Sequence, residues 1–183
     1  MRKVVVTGIG AVSSLANSFR ESWTSVKKGL SGIAPLTRFD VPLMKWKMSG
    51  ELKCFDAGLY LSQKEMTRLD PFVQYAVAAS FMAAEDAGLI QQKSGVRSQE
   101  SGVKDSKLRT LNSELSSAGV IIGSSRGGIT TIERSLAISN QQSAKRLSPY
   151  LMPSTSINMA ASYVAQKLGI KGHCLGISNA CSS

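Results

Sequence analysis

The sequence is poor in metal-binding and disulfide-forming residues: one histidine, His173, and three cysteines, Cys54, Cys174 and Cys181, in 183 positions. A single imidazole and no C-x-x-C pair speak against a structural or catalytic zinc site, which needs several Cys and His ligands at short fixed spacings, so no metal is expected. An odd cysteine count without framework spacing argues against a disulfide-stapled fold and for a reducing, cytoplasmic compartment. Aromatic residues are scarce, at 6%, and the basic residues are scattered without zinc-finger or helix-turn-helix spacing, so no nucleic acid partner is expected. Long apolar runs are missing too. The most apolar stretch, residues 71–90, contains Gln74, Glu85 and Asp86 and reads as a buried helix, so no membrane partner is expected either. Arg2 and Lys3 before Val4, Val5 and Val6 resemble the start of a signal peptide, but Thr7, Gly8 and Gly10 break the run early and favour a strand ending in a glycine turn.

Acidic residues are the last shortage. Twelve Asp and Glu against 22 Lys and Arg leave a net charge of +10, which suits an acidic partner. With 43% hydrophobic residues the chain can bury the core of one domain spanning residues 1–183.

In chain order, the pattern predicts a strand over Lys3–Thr7 and then the turn G-I-G-A-V-S-S. That turn lacks the third glycine of a dinucleotide fingerprint, and no acidic residue follows at the right distance, so no cofactor is expected. Asn17 is placed to cap a helix with Phe19, Trp23 and Val26 on one face, stopped by Gly29. Short extended pieces are expected around Met48–Leu52, and a basic helical turn or two over Leu61–Arg68. Asp70 and Pro71 then open a strongly apolar helix to about Asp86, ended by Gly88, whose six alanines allow close packing. Residues 91–117 are polar, without period, and read as a long surface loop. A strand over Ala118–Ile122 leads into G-S-S-R-G-G and a helix from Ile129 to about Asn140. That loop lacks the Lys-Ser/Thr ending of a phosphate-binding loop, so close backbone packing explains its glycines better. Ser148–Pro153 reads as a turn, and Ser154 as the cap of a helix closing at Gly169.

The carboxy end organises the functional reading. His173–Ile177 looks like a buried strand, and Ser178, Asn179 and Ala180 lead from it to Cys181. A cysteine where a strand hands over to a helix has its thiolate favoured by unpaired N–H groups and the helix dipole, although a small buried hydrophobe is the commoner use of the residue. Strands alternating with helices predict an α/β layer fold with a largely parallel sheet.

Six stretches together carry a resemblance: V-V-V-T-G-I-G-A-V-S-S, N-S-F-R-E-S-W-T-S-V-K-K-G-L-S-G-I, D-P-F-V-Q-Y-A-V-A-A, I-I-G-S-S-R-G-G, S-P-Y-L-M-P-S-T-S-I-N-M-A and N-A-C-S-S. In this order they resemble the amino-terminal half of a β-ketoacyl-acyl-carrier-protein synthase, of the elongating fatty acid or polyketide type. The resemblance implies a thiolase-like layered fold, of which this chain would be most of the first of two repeats. It implies that Cys181 accepts the acyl group and that the acyl enzyme then condenses with decarboxylating malonyl-carrier protein. Acyl carrier protein becomes the acidic partner, with Lys64, Arg68, Lys145 and Arg146 at carrier-docking positions, where ordinary solvated surface is the alternative. Tyr150 and Leu151 fall where the family lines its acyl pocket near a homodimer interface.

The departures set limits. The family completes its site with two histidines and a lysine from a second half that this sequence does not contain, and His173 reads as structural. Condensing turnover is therefore not expected of these 183 residues alone, and the partner would be a complementary carboxy-terminal half. A non-catalytic remnant binding carrier protein or a full-length synthase is the alternative, although Cys181 argues against the glutamine-bearing kind of inactive partner. Arg126 stands in a loop that is usually apolar there; it either shortens the pocket, meets a polar acyl group, or points outward.

Overall fold

The computed structural model describes residues 3–38, 45–91, 109–110, 113–141 and 147–183. In chain order the elements are α1 (Phe19–Lys27), β1 (Ala34–Pro35), β2 (Met48–Ser49), α2 (Gln63–Arg68), α3 (Pro71–Asp86), β3 (Ile90–Gln91), β4 (Arg109–Thr110), β5 (Val120–Gly123), α4 (Ile129–Gln141), α5 (Leu151–Thr155), α6 (Asn158–Leu168) and β6 (Cys174–Ile177). Short 3-10 turns occupy Ala57–Leu59, Ser113–Ser117 and Ala180–Ser182.

Helix α3 starts and stops where its local chemistry requires. The Asp70 carboxylate accepts the Phe72 N–H at 3.1 Å, Pro71 takes the first helical position, and Gly88 turns the chain away at φ +70°. Its buried face, Val73, Val77, Ala78, Phe81 and Ala84, joins Ala160, Ala161, Val164, Ala165 and Leu168 of α6 in one core. Val73, Val77, Ala78, Ala160 and Ala161 are fully enclosed, and small side chains along this seam let the two helices approach closely. On its other side α6 meets the parallel pair β5–β6, giving a helix, helix, sheet order of layers.

The opening glycine turn lies on the outer face of α3. A Cβ at Gly8 would overlap the Ala83 carbonyl and one at Gly10 the Ala79 carbonyl, while the Ile9 N–H donates to the Asp86 carboxylate at 2.9 Å. The glycines are there for close approach to the alanine-rich helix. The strand expected over Lys3–Thr7 does not form: Val4, Val5 and Val6 are 97%, 71% and 82% exposed and join no ladder among the described residues. β-Branched residues favour extended backbone, but a strand also needs a neighbour to pair with.

Other expectations shift for equally local reasons. Ser18, not Asn17, caps α1, because the Asn17 amide donates to the Lys53 carbonyl at 2.9 Å. Ser154 caps nothing: it is buried inside α5, its hydroxyl donating to the Leu151 carbonyl, and Pro153 is tolerated because it sits in that helix's first turn. The sheet is not largely parallel. β1–β2 and β3–β4 are antiparallel, and β5–β6 alone is parallel among the described residues. Within the expected 91–117 loop, Gln91 pairs with Arg109 and Leu115 is buried in the 3-10 turn, while residues 92–108 and 111–112 lie outside the described residues. The expectations for Leu61–Arg68, Ile129 to about Asn140 and the stop at Gly169 (φ +70°) agree with α2, α4 and α6.

Candidate active site

Strands β5 and β6 run parallel in strict register, Val120 beside Cys174 through Gly123 beside Ile177, so both chains leave the sheet at the same edge. One continues into G-S-S-R-G-G and the other into S-N-A-C-S-S. The carboxyl edge of parallel strands is where α/β folds present ligand-binding loops. The two loops are tied together there. The Ser124 N–H donates to the Ile177 carbonyl at 2.9 Å, and the Ser178 hydroxyl donates to the Ser125 carbonyl at 3.1 Å. At Gly123 any side chain would overlap the Ser183 backbone.

Cys181 sits in the 3-10 turn Ala180–Ser182, with its thiol exposed. The helix that the dipole argument needs is, as expected, not within these residues, which show only this three-residue turn. Within this domain the thiol is not buried as a small hydrophobe. Exposure alone does not single it out, because Cys54 and Cys174 are exposed as well. Backbone strain does not either: Ala180, immediately before it, holds φ +46°, a left-handed conformation that costs a non-glycine residue roughly 1 kcal/mol or more, but Cys54 itself holds φ +53°. What sets Cys181 apart is its place at the carboxyl edge of the β5–β6 pair. The turn is held by Ser183, whose hydroxyl accepts the Asn179 N–H and donates to the Ala180 carbonyl. Strand β6 is not buried as expected, since Leu175 and Ile177 are 49% and 43% exposed. His173 is exposed just before that strand, where its carbonyl accepts the Val120 N–H.

Four of the six sequence stretches meet around this edge. Gly127 and Gly128 press against Thr155 at the end of α5, with the Phe72 ring 3.1 Å from where a Gly127 Cβ would stand. Gly176 of β6 lets the first turn of α6 lie on the strand at Asn158. Asp70, 2% exposed, fixes the assembly from below: its second oxygen accepts the Thr131 N–H of α4 at 2.8 Å. One carboxylate thus caps both α3 and α4. The sequence marks the first of these caps through Asp-Pro, but the second joins residues 61 apart and has no local signal.

The remaining candidates divide. Arg126 is exposed in the glycine loop, its carbonyl accepting the Ser124 hydroxyl. Leu151 lines an apolar groove of about 260 Å³ with Ile132, Leu136, Leu147 and Met152, and Tyr150 stands outside that lining. Instead the Arg68 guanidinium lies 4.4 Å over the Tyr150 ring, so a carrier-docking candidate and a pocket candidate are in contact. Lys64 is exposed on α2. Lys145 and Arg146 lie outside the described residues. Beneath α2, Lys167 pairs with Glu65 at 2.6 Å. Burial pushes the Glu65 carboxyl up, but hydrogen bonds from Lys167 and Ser62 outweigh it and hold the group below the usual carboxylate range. Among the described residues no three His, Cys, Asp or Glu side chains gather as a metal site, and no helix is long and apolar enough to cross a membrane.

The family model "Beta-ketoacyl synthase, N-terminal domain" matches residues 1–183. The chain belongs to the β-ketoacyl synthase family. It is 32% identical over 183 residues to 3-oxoacyl-[acyl-carrier-protein] synthase 2 of Vibrio harveyi, covering all of this chain and 39% of that protein. The synthase 2 of Synechocystis is 34% identical over 171 residues, 93% of this chain and 36% of its own. This synthase domain therefore spans about two fifths of the curated relatives it matches, as their amino-terminal part. Among solved structures, the ishigamide ketosynthase/chain length factor superposes with a TM-score of 0.76 at 24% identity, over 97% of this chain and 40% of that one. A type II polyketide ketosynthase in complex with its acyl-carrier protein gives 0.64 at 19% identity, over 93% and 40%. These likenesses establish the thiolase-like ketosynthase fold for the domain.

Proposed function

We propose that this chain is the nucleophile-bearing part of a 3-oxoacyl-acyl-carrier-protein synthase and that Cys181 is its acyl acceptor. In that reading the Cys181 thiolate attacks the thioester carbonyl of an acylated carrier protein, the new C–S bond forms as the carrier thiolate leaves, and the acyl group stays on the enzyme. The second half-reaction, in which malonyl-carrier protein loses carbon dioxide and its carbanion attacks the acyl enzyme, is assigned to the synthase completed by its carboxy-terminal portion. The observation that carries the reading is the exposed Cys181 turn, held beside the glycine loop by the in-register β5–β6 pair and preceded by left-handed Ala180. The names of the relatives support the reaction class.

Carrier protein is the proposed partner, supported by the net charge of +10 and by the carrier complex of one structural neighbour. Lys64 and Arg68 on α2, with Lys145 and Arg146, are the proposed contacts. Arg68 would have to leave the Tyr150 ring to reach an acidic partner, a modest cost for an exposed cation–π pair. Arg126, beside the Cys181 turn, is proposed to favour short or polar acyl groups. Unchanged chain preference in a full-length Arg126→Ile enzyme would remove that role.

A second reading, a non-catalytic remnant that docks on carrier protein or a full-length synthase, is favoured by the exposed apolar residues Val4–Val6, Leu175 and Ile177, which suit a covering partner. Mass spectrometry after incubation with an acyl-carrier thioester separates the two. The expected result is one acyl adduct on the Cys181 peptide, absent in Cys181→Ser. No adduct, even with the carboxy-terminal portion supplied as a second chain, leaves the remnant reading standing.

A further inference from the structure

We propose that a groove remote in sequence from the Cys181 turn binds a small polyanion bearing phosphate or carboxylate groups. The groove, about 620 Å³, is bounded by the chain around Leu52–Ala57, Met66 of α2, the amino-terminal half of α3 and Arg134 of α4. Two guanidinium groups line it, Arg38 and Arg134, and neither makes an ion pair among the described residues. Arg38 is held in place: its Nη2 donates to the Leu52 carbonyl at 3.3 Å and to the Tyr75 hydroxyl oxygen at 3.4 Å. That leaves three of its five N–H donors for a ligand. The Tyr75 ring is fixed edge-on against Phe55 at 5.1 Å, so its hydroxyl, an acceptor from Arg38, keeps its own hydrogen to donate.

Two carboxylates stand beside the two cations, so recognition of an anion rests on the free guanidinium N–H groups and not on a net positive charge. Asp56 lines the groove but spends one oxygen on the Gly58 N–H as the cap of the 3-10 turn. Glu51, beside Arg38, has its oxygens occupied by the Thr37 N–H and hydroxyl and the Arg38 N–H, and it is not part of the lining. Two planar cations with free donors and a phenol around one cleft are suited to bidentate recognition of phosphate or carboxylate oxygens, while the Gln74 amide N–H groups are spent on the Met66 and Leu69 carbonyls.

Cys54 lines the same groove and is exposed, while Cys174 and Cys181 lie elsewhere and serve as internal controls. The test alkylates the native chain at low salt with anionic iodoacetate or neutral iodoacetamide and reads each cysteine by peptide mass spectrometry. The expected iodoacetate preference at Cys54 exceeds that at Cys174 by about threefold or more, because the free guanidinium donors beside Cys54 hold the anionic reagent. It should fall to the Cys174 level in Arg38→Gln and Arg134→Gln and survive in Arg134→Lys, with circular dichroism checking the fold. Pyrophosphate and citrate, added separately, should slow alkylation of Cys54 alone, and the stronger of the two identifies phosphate or carboxylate as the preferred group. Equal reagent preference at Cys54 and Cys174, or protection of all three cysteines alike, would overturn the site.

Discussion

The α3–α6 seam and the β5–β6 edge are both written in apolar residues, yet the first is closed and the second open. Val73, Val77, Phe81, Ala160 and Ala161 are enclosed by other parts of the same chain. Leu175 and Ile177, on the strand that leads to Cys181, remain about half exposed. The difference teaches that the helix seam is closed by this chain's own residues while the strand edge leading to Cys181 is left open, in a domain spanning about two fifths of its relatives.

The sharpest way to break that contrast is a pair of truncations followed by urea unfolding. Phe81→Ala should cost about 3–5 kcal/mol, the range for emptying a buried aromatic site. Ile177→Ala, at 43% exposure, should cost about 1 kcal/mol or less. Comparable losses would mean that something covers the strand edge in solution. A smaller effect is expected below the site. Asp70→Ala removes a buried carboxylate that caps two helices and should cost about 2–3 kcal/mol, beyond what one lost cap explains. The smallest concerns the rim of the core. Lys167→Met should lose about 0.5–1 kcal/mol at neutral pH. Because the folded Glu65 carboxyl lies below its unfolded value, its contribution is complete above the ordinary carboxylate range and disappears as pH falls through the lowered value. Urea midpoints of wild type and Lys167→Met should therefore converge in acid, and a gap independent of pH would assign the loss to packing.

What the sequence made legible was chemistry that acts within a few residues. Asp70-Pro71 and the stops at Gly88 and Gly169 need only neighbours along the chain, and each stands where local rules put it. The errors came from partners far away. Asn17 was drawn off its expected cap by Lys53, and the opening valines lack a strand to pair with among the described residues. The Cys181 turn could be located because glycine, serine and asparagine punctuate it. The contacts around it, Gly127 on Thr155, Gly176 on Asn158 and Asp70 on Thr131, join distant segments and leave no trace in any single window. For the same reason Arg68 and Tyr150 read as separate candidates with separate roles, and in the fold they touch.

The shared Asp70 carboxylate also bears on motion. Since α4 begins from an oxygen belonging to the cap of α3, the glycine loop between β5 and α4 cannot swing outward without releasing a buried, charge-assisted hydrogen bond. Displacements of that loop should be infrequent openings of the whole helix start and not continuous drift. In hydrogen exchange, the Thr131 amide would then report the same opening event as the Phe72 amide, two probes in separate helices exchanging as one unit.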